Sequence, residues 1–309
     1  MPQPLQLGIV GFGKIARDQH MPAIAATGVA TLIAVADPQA RAPGLPCYPD
    51  LATMLAAEPG IAAVALCQPP QARFAAAREA LLAGKHVLLE KPPGATLSEV
   101  ETLVELAHAQ GVTLFAAWHS RFAAGVAAAH DWIANARLRS IRIVWKEDFR
   151  VWHPGQRWIW QAGGFGVFDP GINALSILTA IVPDRIRIVA AELTRPLHHP
   201  APIAARLTMA TSKGVPIDAD FDFRQTGPPR WDIVVEADEG TMLLSHGGNI
   251  LTVNGVAAAL ATPQEYPALY RRFAALVAQG LSEVDLAPLR LVADAFLIGG
   301  GCLSNDEVE

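Results

Sequence analysis

The sequence predicts an α/β fold of two domains, and three observations support this prediction. An apolar run from Leu5 to Val10 breaks into a glycine-rich turn, which is typical of the strand, turn and helix start of a nucleotide-binding unit. Up to about residue 120, short apolar runs alternate with alanine-rich helical stretches, as in a parallel sheet wrapped by helices. Later runs are longer and alternate between apolar and polar residues. We therefore predict a Rossmann domain over residues 1–121 and an α+β domain with a large, mostly antiparallel sheet over residues 122–309.

Length and composition restrict the class of protein. A chain of 309 residues can form two domains, each with its own core. Hydrophobic residues make up 51% and charged residues 17% of the chain, which favours a compact globular protein over a disordered one. The net charge of −5, without a long basic run, argues against nucleic acid or an anionic membrane as partner. No apolar stretch reaches the length of about 18 residues that a membrane helix needs, and the N-terminus lacks a signal-peptide layout, so we predict a cytoplasmic protein.

The cysteines predict neither a metal site nor a disulfide framework. Cys47, Cys67 and Cys302 are odd in number and have no metal-ligand spacing. We expect reduced, mostly structural thiols.

The glycine turn is the first candidate site. Gly11 can adopt the backbone conformation that the turn needs, and the missing side chain of Gly13 lets backbone amides and a helix N-terminus approach phosphates. Ala16 replaces the third glycine of the fingerprint. A plain turn without a ligand is the alternative for this motif alone. The cofactor contacts predicted here are Gly11, Phe12, Gly13, Lys14 and Ile15.

The second apolar run, from Thr31 to Ala36, ends in Asp37. A carboxylate at this βαβ position can accept both ribose hydroxyls of an adenosine moiety, and it repels a 2′-phosphate. The sequence therefore predicts NAD in preference to NADP, with NADP left open. Arg41 is close enough to soften this preference, but a solvated surface charge is the favoured interpretation.

The remaining elements of the first domain follow in order. We predict a loop over 41–49, a helix over 51–57, a strand over 61–66, a helix over 74–83, a strand over 86–89, a helix over 97–110 and a strand over 113–117. Ligands bind at the carboxyl ends of strands in such sheets. Three groups of residues fall at that edge: Cys67, Gln68 and Pro69; Glu90 and Lys91; and Trp118, His119 and Ser120. We predict that the first two groups contact the cofactor.

Lys91 is the strongest single candidate for chemistry in this domain. It directly follows a buried strand, an unusual place for a lysine unless its ammonium meets a ligand or a carboxylate. Pro92 restricts the backbone on the other side. A surface lysine is the alternative.

The second domain is predicted from longer segments. We predict a helix over 123–136, then strands over 140–149, 186–194, 204–211, 217–224, 231–237 and 241–245, with helices over 172–181, 266–278 and 286–297. Lys213-Gly214 and Glu239-Gly240 are typical of hairpin turns between neighbouring strands.

Tryptophans cluster near the start of this domain. Trp145, Trp152, Trp158 and Trp160 fall within sixteen residues, beside the polar residues Lys146 to Asp148 and His153. Aromatic faces beside fixed polar groups are typical of sites that hold the apolar faces and hydroxyls of a sugar. A tryptophan-rich core or interface is the alternative, with equal weight for Trp145 and Trp160. His119 and Glu147 are further candidates.

Asp169 and Asn173 form the last candidate pair. They are four residues apart, so they can face one spot if a helix begins near Pro170. The alternative for Asp169 is a helix N-cap. His20, His108 and His130 are predicted to be structural or exposed.

With these motifs the chain resembles the glucose–fructose oxidoreductase / inositol dehydrogenase (Gfo/Idh/MocA) family, and within it the bacterial sugar 1-dehydrogenases for D-galactose and L-arabinose. The resemblance covers nearly the whole length. It rests on residues 11–20, 84–87, 90–93, 118–120, 145–148, 152–156 and 168–176.

Two positions depart from the pattern of the relatives. Most of the wider family has a histidine at the position of Asn173, so a histidine base cannot be carried over and Asp169 becomes the best proton acceptor. The L-arabinose enzymes have a small polar residue followed by arginine where this chain has Asp37-Pro38, which favours NAD.

The resemblance implies an NAD-preferring aldose 1-dehydrogenase that oxidises a pyranose at C1 to its lactone. Asp169 would take the O1 proton and Lys91 would polarise O1. Asn173, Glu147, His119 and His153 would bind sugar hydroxyls, with Trp152 and Trp231 as apolar walls.

D-galactose ranks first as substrate, and L-arabinose and D-fucose are expected to fit the same pocket. The alternatives are an L-arabinose enzyme using NAD(P), a reductase of an imine or linear tetrapyrrole, and a non-catalytic cofactor sensor. The family resemblance also implies a homodimer through the second-domain sheet.

Overall fold

The computed structural model describes residues 3–308. Its strands are β1 (Leu5–Val10), β2 (Ala30–Ala36), β3 (Cys47–Tyr48), β4 (Ala63–Leu66), β5 (His86–Glu90), β6 (Leu114–Ala117), β7 (Leu138–Lys146), β8 (Ile186–Pro196), β9 (Ala204–Thr211), β10 (Pro216–Asp222), β11 (Arg230–Ala237), β12 (Gly240–Ser245), β13 (Ile250–Val253), β14 (Val256–Ala257) and β15 (Gly300–Ser304). Its helices are α1 (Met21–Thr27), α2 (Leu51–Ala57), α3 (Pro70–Leu82), α4 (Leu97–Gln110), α5 (Val126–Ala134), α6 (Phe149–Trp152), α7 (Phe168–Ile181), α8 (Glu265–Gln279) and α9 (Ala287–Ile298).

The chain forms two compact units. The N-terminal unit runs to His119 and also contains Glu265–Asp285, whereas the C-terminal unit contains Ser120–Gln264 and the chain from Leu286 onward. The predicted division after residue 121 differs from this arrangement mainly in the returning segment 265–285, which the sequence prediction assigns to the second domain.

The returning segment joins the N-terminal unit through packing and strand pairing. Phe273 of α8 stacks on Phe115 of β6, with ring centroids 6.1 Å apart. The Ala116 N–H donates to the Glu283 carbonyl and the Glu283 N–H donates to the Leu114 carbonyl, each at 3.0 Å. The segment therefore extends the edge of the first sheet, a tertiary contact that local periodicity does not reveal.

The N-terminal sheet has six parallel strands in the order β3-β2-β1-β4-β5-β6. The predicted parallel Rossmann sheet is thus confirmed. Strand order reverses between β1 and β4, and ligands bind at such a switch point in open α/β sheets. Gly11, Cys67 and Lys91 directly follow β1, β4 and β5. The loop predicted over 41–49 contains the short edge strand β3, which pairs with β2.

Helix ends in this unit follow the sequence signals. Thr96 and Glu99 form a capping box at the start of α4, and Gly111 ends this helix with φ of 65°. The core under the helices includes Val64, Leu66 and Leu89, all fully buried. No helix within residues 3–308 has the length and apolar character needed to cross a bilayer.

The C-terminal sheet has nine strands in the order β14-β13-β12-β11-β7-β10-β9-β8-β15. The β7–β10 and β8–β15 pairs are parallel and the others are antiparallel, so the predicted mostly antiparallel sheet is confirmed. The hairpins predicted at Lys213-Gly214 and Glu239-Gly240 join β9 to β10 and β11 to β12. Strands β13, β14 and β15 lie outside the predicted set because they are short and carry little alternation.

Helix α7 packs closely on the middle of this sheet. A Cβ on Gly171 would lie 2.9 Å from the ring of Phe221 on β10, so the glycine allows the close approach. Phe168 meets Phe221 edge to face, with ring centroids 5.8 Å apart. The helix begins at Phe168, four residues before the predicted start at Ile172. This packing fixes the position of Asp169.

Candidate functional site

The turn after β1 is shaped by contact with the loop after β4. Gly11 has φ of 83°, and a Cβ there would lie 2.8 Å from the Gln68 backbone nitrogen. A Cβ on Gly13, by contrast, would meet no heavy atom of the described chain within 4 Å. Gly11 is therefore required by the protein itself, whereas the open backbone at Gly13 fits the approach of a phosphate. Phe12 is buried, whereas Lys14 is exposed and Ile15 half-buried.

Asp37 ties the end of β2 to this turn. Its Oδ2 accepts the Phe12 N–H at 2.8 Å, and its Oδ1 accepts the Gln39 and Ala40 N–H groups at 2.8 and 2.7 Å. Burial raises the pKa of Asp37, but these amide bonds outweigh it and leave the pKa below its usual value. The carboxylate is thus ionised at neutral pH, which disfavours a 2′-phosphate beside it. Arg41 is exposed and donates to the Ala40 carbonyl at 2.8 Å.

The loop after β4 presents an unsatisfied acceptor. Among residues 3–308, the buried Oε1 of Gln68 has no hydrogen-bond partner. The Cys67 N–H donates to the Val10 carbonyl at 2.8 Å, which holds the loop against β1, and Pro69 follows at half-burial. A buried acceptor without a partner is costly and predicts a donor from a bound ligand. Together with the open turn at Gly13, this acceptor fits a dinucleotide.

The end of β5 carries Glu90 and Lys91. Glu90 is buried, and its Oε2 accepts the Lys91 N–H at 2.6 Å. The sequence predicts that Glu90 contacts the cofactor, but the structure directs its carboxylate to protein groups, including His20. The sequence predicts only a structural or exposed histidine at position 20, because a lone histidine in a helical turn does not indicate its partners.

His119 lies in the N-terminal unit. Its Nδ1 is 2.8 Å from Oε2 of Glu265, and its ring stacks on Tyr266 with centroids 5.1 Å apart. The family resemblance implies that His119, like Glu147 and His153, binds sugar hydroxyls. The structure pairs it instead with the returning segment 265–285, so a contact with a sugar stays a prediction.

The C-terminal unit assembles a compact cluster around His153. His153 Nε2 lies 3.0 Å from Glu147 Oε1, and His153 Nδ1 lies 3.7 Å from Asp169 Oδ2. The second oxygen of Glu147 accepts the Trp231 indole N–H at 2.8 Å. Glu147 and Asp169 are each 4% exposed. An imidazole between two buried carboxylates is a unit that can accept, hold and pass a proton.

An aromatic wall adjoins this cluster. The rings of Trp152 and Trp231 meet edge to face with centroids 5.1 Å apart, and Trp152 is 43% exposed. An exposed indole beside buried carboxylates can cover the apolar face of a small polar ligand. Trp145 and Trp160 are buried, which agrees with the core interpretation of these two residues.

Asp169 and Asn173 lie on α7, one turn apart. Val167 occupies the N-cap position, so the alternative of Asp169 as N-cap is wrong. Asp169 lies in the first turn, where its backbone N–H donates to the Gly166 carbonyl at 2.9 Å. Asn173 is half-buried. The four-residue spacing brings both to one face of the helix, as predicted.

Residues 5–118 match the Gfo/Idh/MocA model, described as an oxidoreductase family with an NAD-binding Rossmann fold. Over 299 residues, the chain is 46% identical to galactose 1-dehydrogenase of Pseudomonas fluorescens, and the alignment covers 96% of each protein. The chain belongs to the Gfo/Idh/MocA oxidoreductase family. The predicted family and the NAD-binding Rossmann fold are therefore confirmed.

Solved structures agree with this family assignment. The crystal structure of D-galactose-1-dehydrogenase from Rhizobium etli has a TM-score of 0.94 at 52% identity and covers 98% of both chains. The 3-ketoreductase KijD10 from Actinomadura kijaniata has a TM-score of 0.82 at 18% identity, with 97% of this chain and 99% of its own chain covered. The likeness to KijD10 establishes the fold alone, whereas the likeness to the Rhizobium etli enzyme extends the sequence relationship over both units.

Proposed function

We propose that this oxidoreductase is an NAD-preferring D-galactose 1-dehydrogenase, which oxidises the pyranose at C1 to the aldonolactone. The observation that carries the proposal is the cluster of Glu147, His153 and Asp169 beside Trp152 and Trp231. It combines buried hydrogen-bonding groups with an exposed indole, the combination that a pyranose needs. The similarity to enzymes named galactose 1-dehydrogenase supports D-galactose as the sugar.

The N-terminal unit holds the cofactor in this proposal. The turn at Gly11–Gly13 would hold the pyrophosphate, the Asp37 carboxylate would bind the adenosine ribose, and the Gln68 Oε1 would accept a hydrogen bond from the cofactor. The nicotinamide of NAD, when bound, supplies the acceptor for the hydride from C1. NAD is favoured over NADP because the ionised Asp37 repels the negatively charged 2′-phosphate of NADP.

The protein's own groups handle the proton and the hydroxyls. Asp169 accepts the O1 proton as C1 loses its hydride, and the Lys91 ammonium polarises O1, so the products are the lactone and a protonated Asp169. His153 lies between Asp169 and Glu147, and its Nδ1, 3.7 Å from Asp169 Oδ2, can accept a hydrogen bond from a sugar hydroxyl, or from Asp169 once Asp169 has taken the O1 proton. Asn173, Glu147, His153 and His119 are the proposed contacts to sugar hydroxyls.

The initial rate of cofactor reduction tests this proposal. It is measured with NAD and with NADP on D-galactose, L-arabinose, D-fucose, D-glucose, D-xylose and myo-inositol. We expect turnover on the sugars that share the galactose configuration from C1 to C4, and faster turnover with NAD. D-galactose and L-arabinose differ by one hydroxymethyl group, which changes transition-state binding by only about 1–3 kcal/mol, so L-arabinose is expected to be turned over more slowly. Absence of turnover on every sugar would contradict the proposal and favour the reductase and sensor alternatives.

A cytoplasmic location stays a prediction. We further propose a homodimer through the outer face of the C-terminal sheet. Asp218 of β10 is exposed, whereas its neighbours Ile217 and Ala219 are buried. Arg142 and Arg206 are exposed on the neighbouring strands β7 and β9. Such a face, with charges of both signs, can pair with a second copy. Light scattering on wild type and Arg206→Glu checks this, with a shift of the variant to monomer expected and a monomeric wild type as the contradicting result.

A further inference from the structure

The N-terminal unit contains a buried polar network that the proposed reaction does not use directly. His20 is 0% and Glu90 3% exposed. His20 Nε2 lies 3.1 Å from Glu90 Oε1, and His20 Nδ1 lies 2.7 Å from the Tyr270 hydroxyl. The Tyr266 hydroxyl donates to the same Glu90 oxygen at 2.7 Å. These four residues are the His20 network.

The network keeps Glu90 ionised despite its burial. Burial raises the pKa of Glu90, but the hydrogen bond and the charge of His20, together with His119 and the hydrogen bond from Tyr266, outweigh it and lower the pKa to about 2. Burial lowers the pKa of His20, but Cys67, Tyr270 and Glu90 together raise it well above its usual value. Both shifts favour the charged forms, a Glu90 carboxylate beside a His20 imidazolium.

The other oxygen of Glu90 reaches the backbone of Lys91. Glu90 Oε2 accepts the Lys91 N–H at 2.6 Å. Arg73, which is 2% exposed, donates from Nη1 to the Glu90 carbonyl at 2.5 Å and to the Pro92 carbonyl, and from Nη2 to the Gln68 carbonyl. Two buried charges thus hold the Glu90–Lys91 peptide group and the Pro92 carbonyl, which lie before and after Lys91 in the chain.

We propose that Glu90 and Arg73 are positioning residues that fix the backbone at Lys91 and so aim its ammonium, and that Tyr266 and His20 act on Lys91 through Glu90. The inference rests on the role proposed for Lys91. A lysine side chain is long and flexible, so its terminal atom keeps a set position only if the backbone that carries it is fixed. Misplacing a reacting group by about 1 Å can cost as much as 10²-fold in rate. Helix α8, far along the chain, would then support the chemistry at the end of β5.

Two tyrosine variants separate positioning from general stability. Tyr266→Phe removes one hydrogen bond to Glu90. Tyr48→Phe is the matched control, since the Tyr48 hydroxyl donates to Glu58 Oε1 at 2.8 Å in the same unit, so both variants lose a tyrosine–carboxylate bond. For each variant, kcat, KM for D-galactose, Kd for NAD, Tm and the isotope effect on kcat with C1-deuterated D-galactose are measured.

Tyr266→Phe is expected to lower kcat by roughly tenfold, within the range that small displacements cost. KM and Kd stay near the wild-type values, and the isotope effect rises because hydride transfer becomes slower than the other steps. Tyr48→Phe changes Tm alone. A wild-type kcat and isotope effect in Tyr266→Phe would overturn the proposal. So would a joint loss of Tm and NAD affinity with an unchanged isotope effect, because that is the result of a structural role.

A measurement independent of turnover separates this inference from the proposed function. The chain has five lysines, so ¹³C-methylated lysine resonances can be resolved by NMR, and Lys91→Arg assigns the signal of Lys91. The Lys91 resonance is expected to shift in Tyr266→Phe and in Glu90→Gln, and to stay in place in Tyr48→Phe. If Tyr266→Phe does not fold, Glu90→Gln replaces it as the test variant. If wild type oxidises no sugar but the resonance shifts as expected, the proposed function fails and the positioning stands; an unmoved resonance in an active enzyme overturns the positioning alone.

Discussion

Replacing Gly13 with alanine tests the cofactor role of the glycine turn without a change in the fold. A Cβ at this position meets no described atom within 4 Å. The stability of the cofactor-free protein is therefore expected to change by less than about 0.5 kcal/mol, as for an ordinary surface substitution. The methyl group would instead occupy the space through which a pyrophosphate approaches. A steric cost of about 1–3 kcal/mol corresponds to a rise in Kd for NAD of about 5- to 150-fold.

Gly11→Ala is the control for this prediction. With φ of 83° and a Cβ 2.8 Å from the Gln68 nitrogen, the substitution strains the protein itself. The left-handed backbone and the overlap together cost about 2–5 kcal/mol of unfolding free energy. Calorimetric titration with NAD gives Kd, and thermal unfolding without NAD gives the stability. Wild-type affinity in Gly13→Ala would refute the role of the turn in phosphate binding, and a Tm loss equal to that of Gly11→Ala would refute the steric argument.

Three further predictions concern the charges of Asp169, Asp37 and Glu90. Asp169→Asn should lower kcat by about 10²–10⁴-fold in steady-state assays while Kd for NAD stays unchanged, because a general base is lost; a wild-type kcat would move the base elsewhere, with His119 next. Asp37→Asn, which removes the charge, should narrow the ratio of kcat/KM for NAD over NADP, and an unchanged ratio would contradict the role of Asp37. The pKa of Glu90, lowered from 4.5 to about 2 in the folded protein, corresponds to about 3 kcal/mol of folding stability above pH 4.5, and this stability is lost as pH falls toward 2. The raised pKa of His20 has the opposite pH dependence: its contribution to stability is complete below pH 6.5 and is lost as pH rises through the pKa of His20 in the folded protein. Urea unfolding of wild type and Glu90→Gln across pH should show a flatter acid limb in the variant, and equal acid limbs would contradict the pairing.

The first sheet and its turn could be predicted because their signals are local. The break from an apolar run into Gly11–Gly13, and the acidic Asp37 after the second run, need no knowledge of distant residues. The same holds for the hairpin at Lys213-Gly214. In each case the backbone conformation or the charge is set by the residue types themselves.

The returning segment and the His20 network could not be predicted from such signals. The apolar stripe of α8, with Tyr266, Tyr270 and Phe273, indicates a buried face but does not identify the surface that covers it. His20 contacts residues 70 and 250 positions away in the sequence. Asp169 before Pro170 is equally compatible with an N-cap and with a first-turn position, and only the packing of α7 on the sheet decides between them.

Transfer of deuterium from D-[1-²H]galactose to NAD tests the central claim most directly. The account predicts that the reduced cofactor carries the deuterium from C1 and that D-galactonolactone forms in equal amount, as measured by NMR of both products. Reduced cofactor without deuterium, or an oxidised sugar that keeps its C1 deuterium, would contradict oxidation at C1.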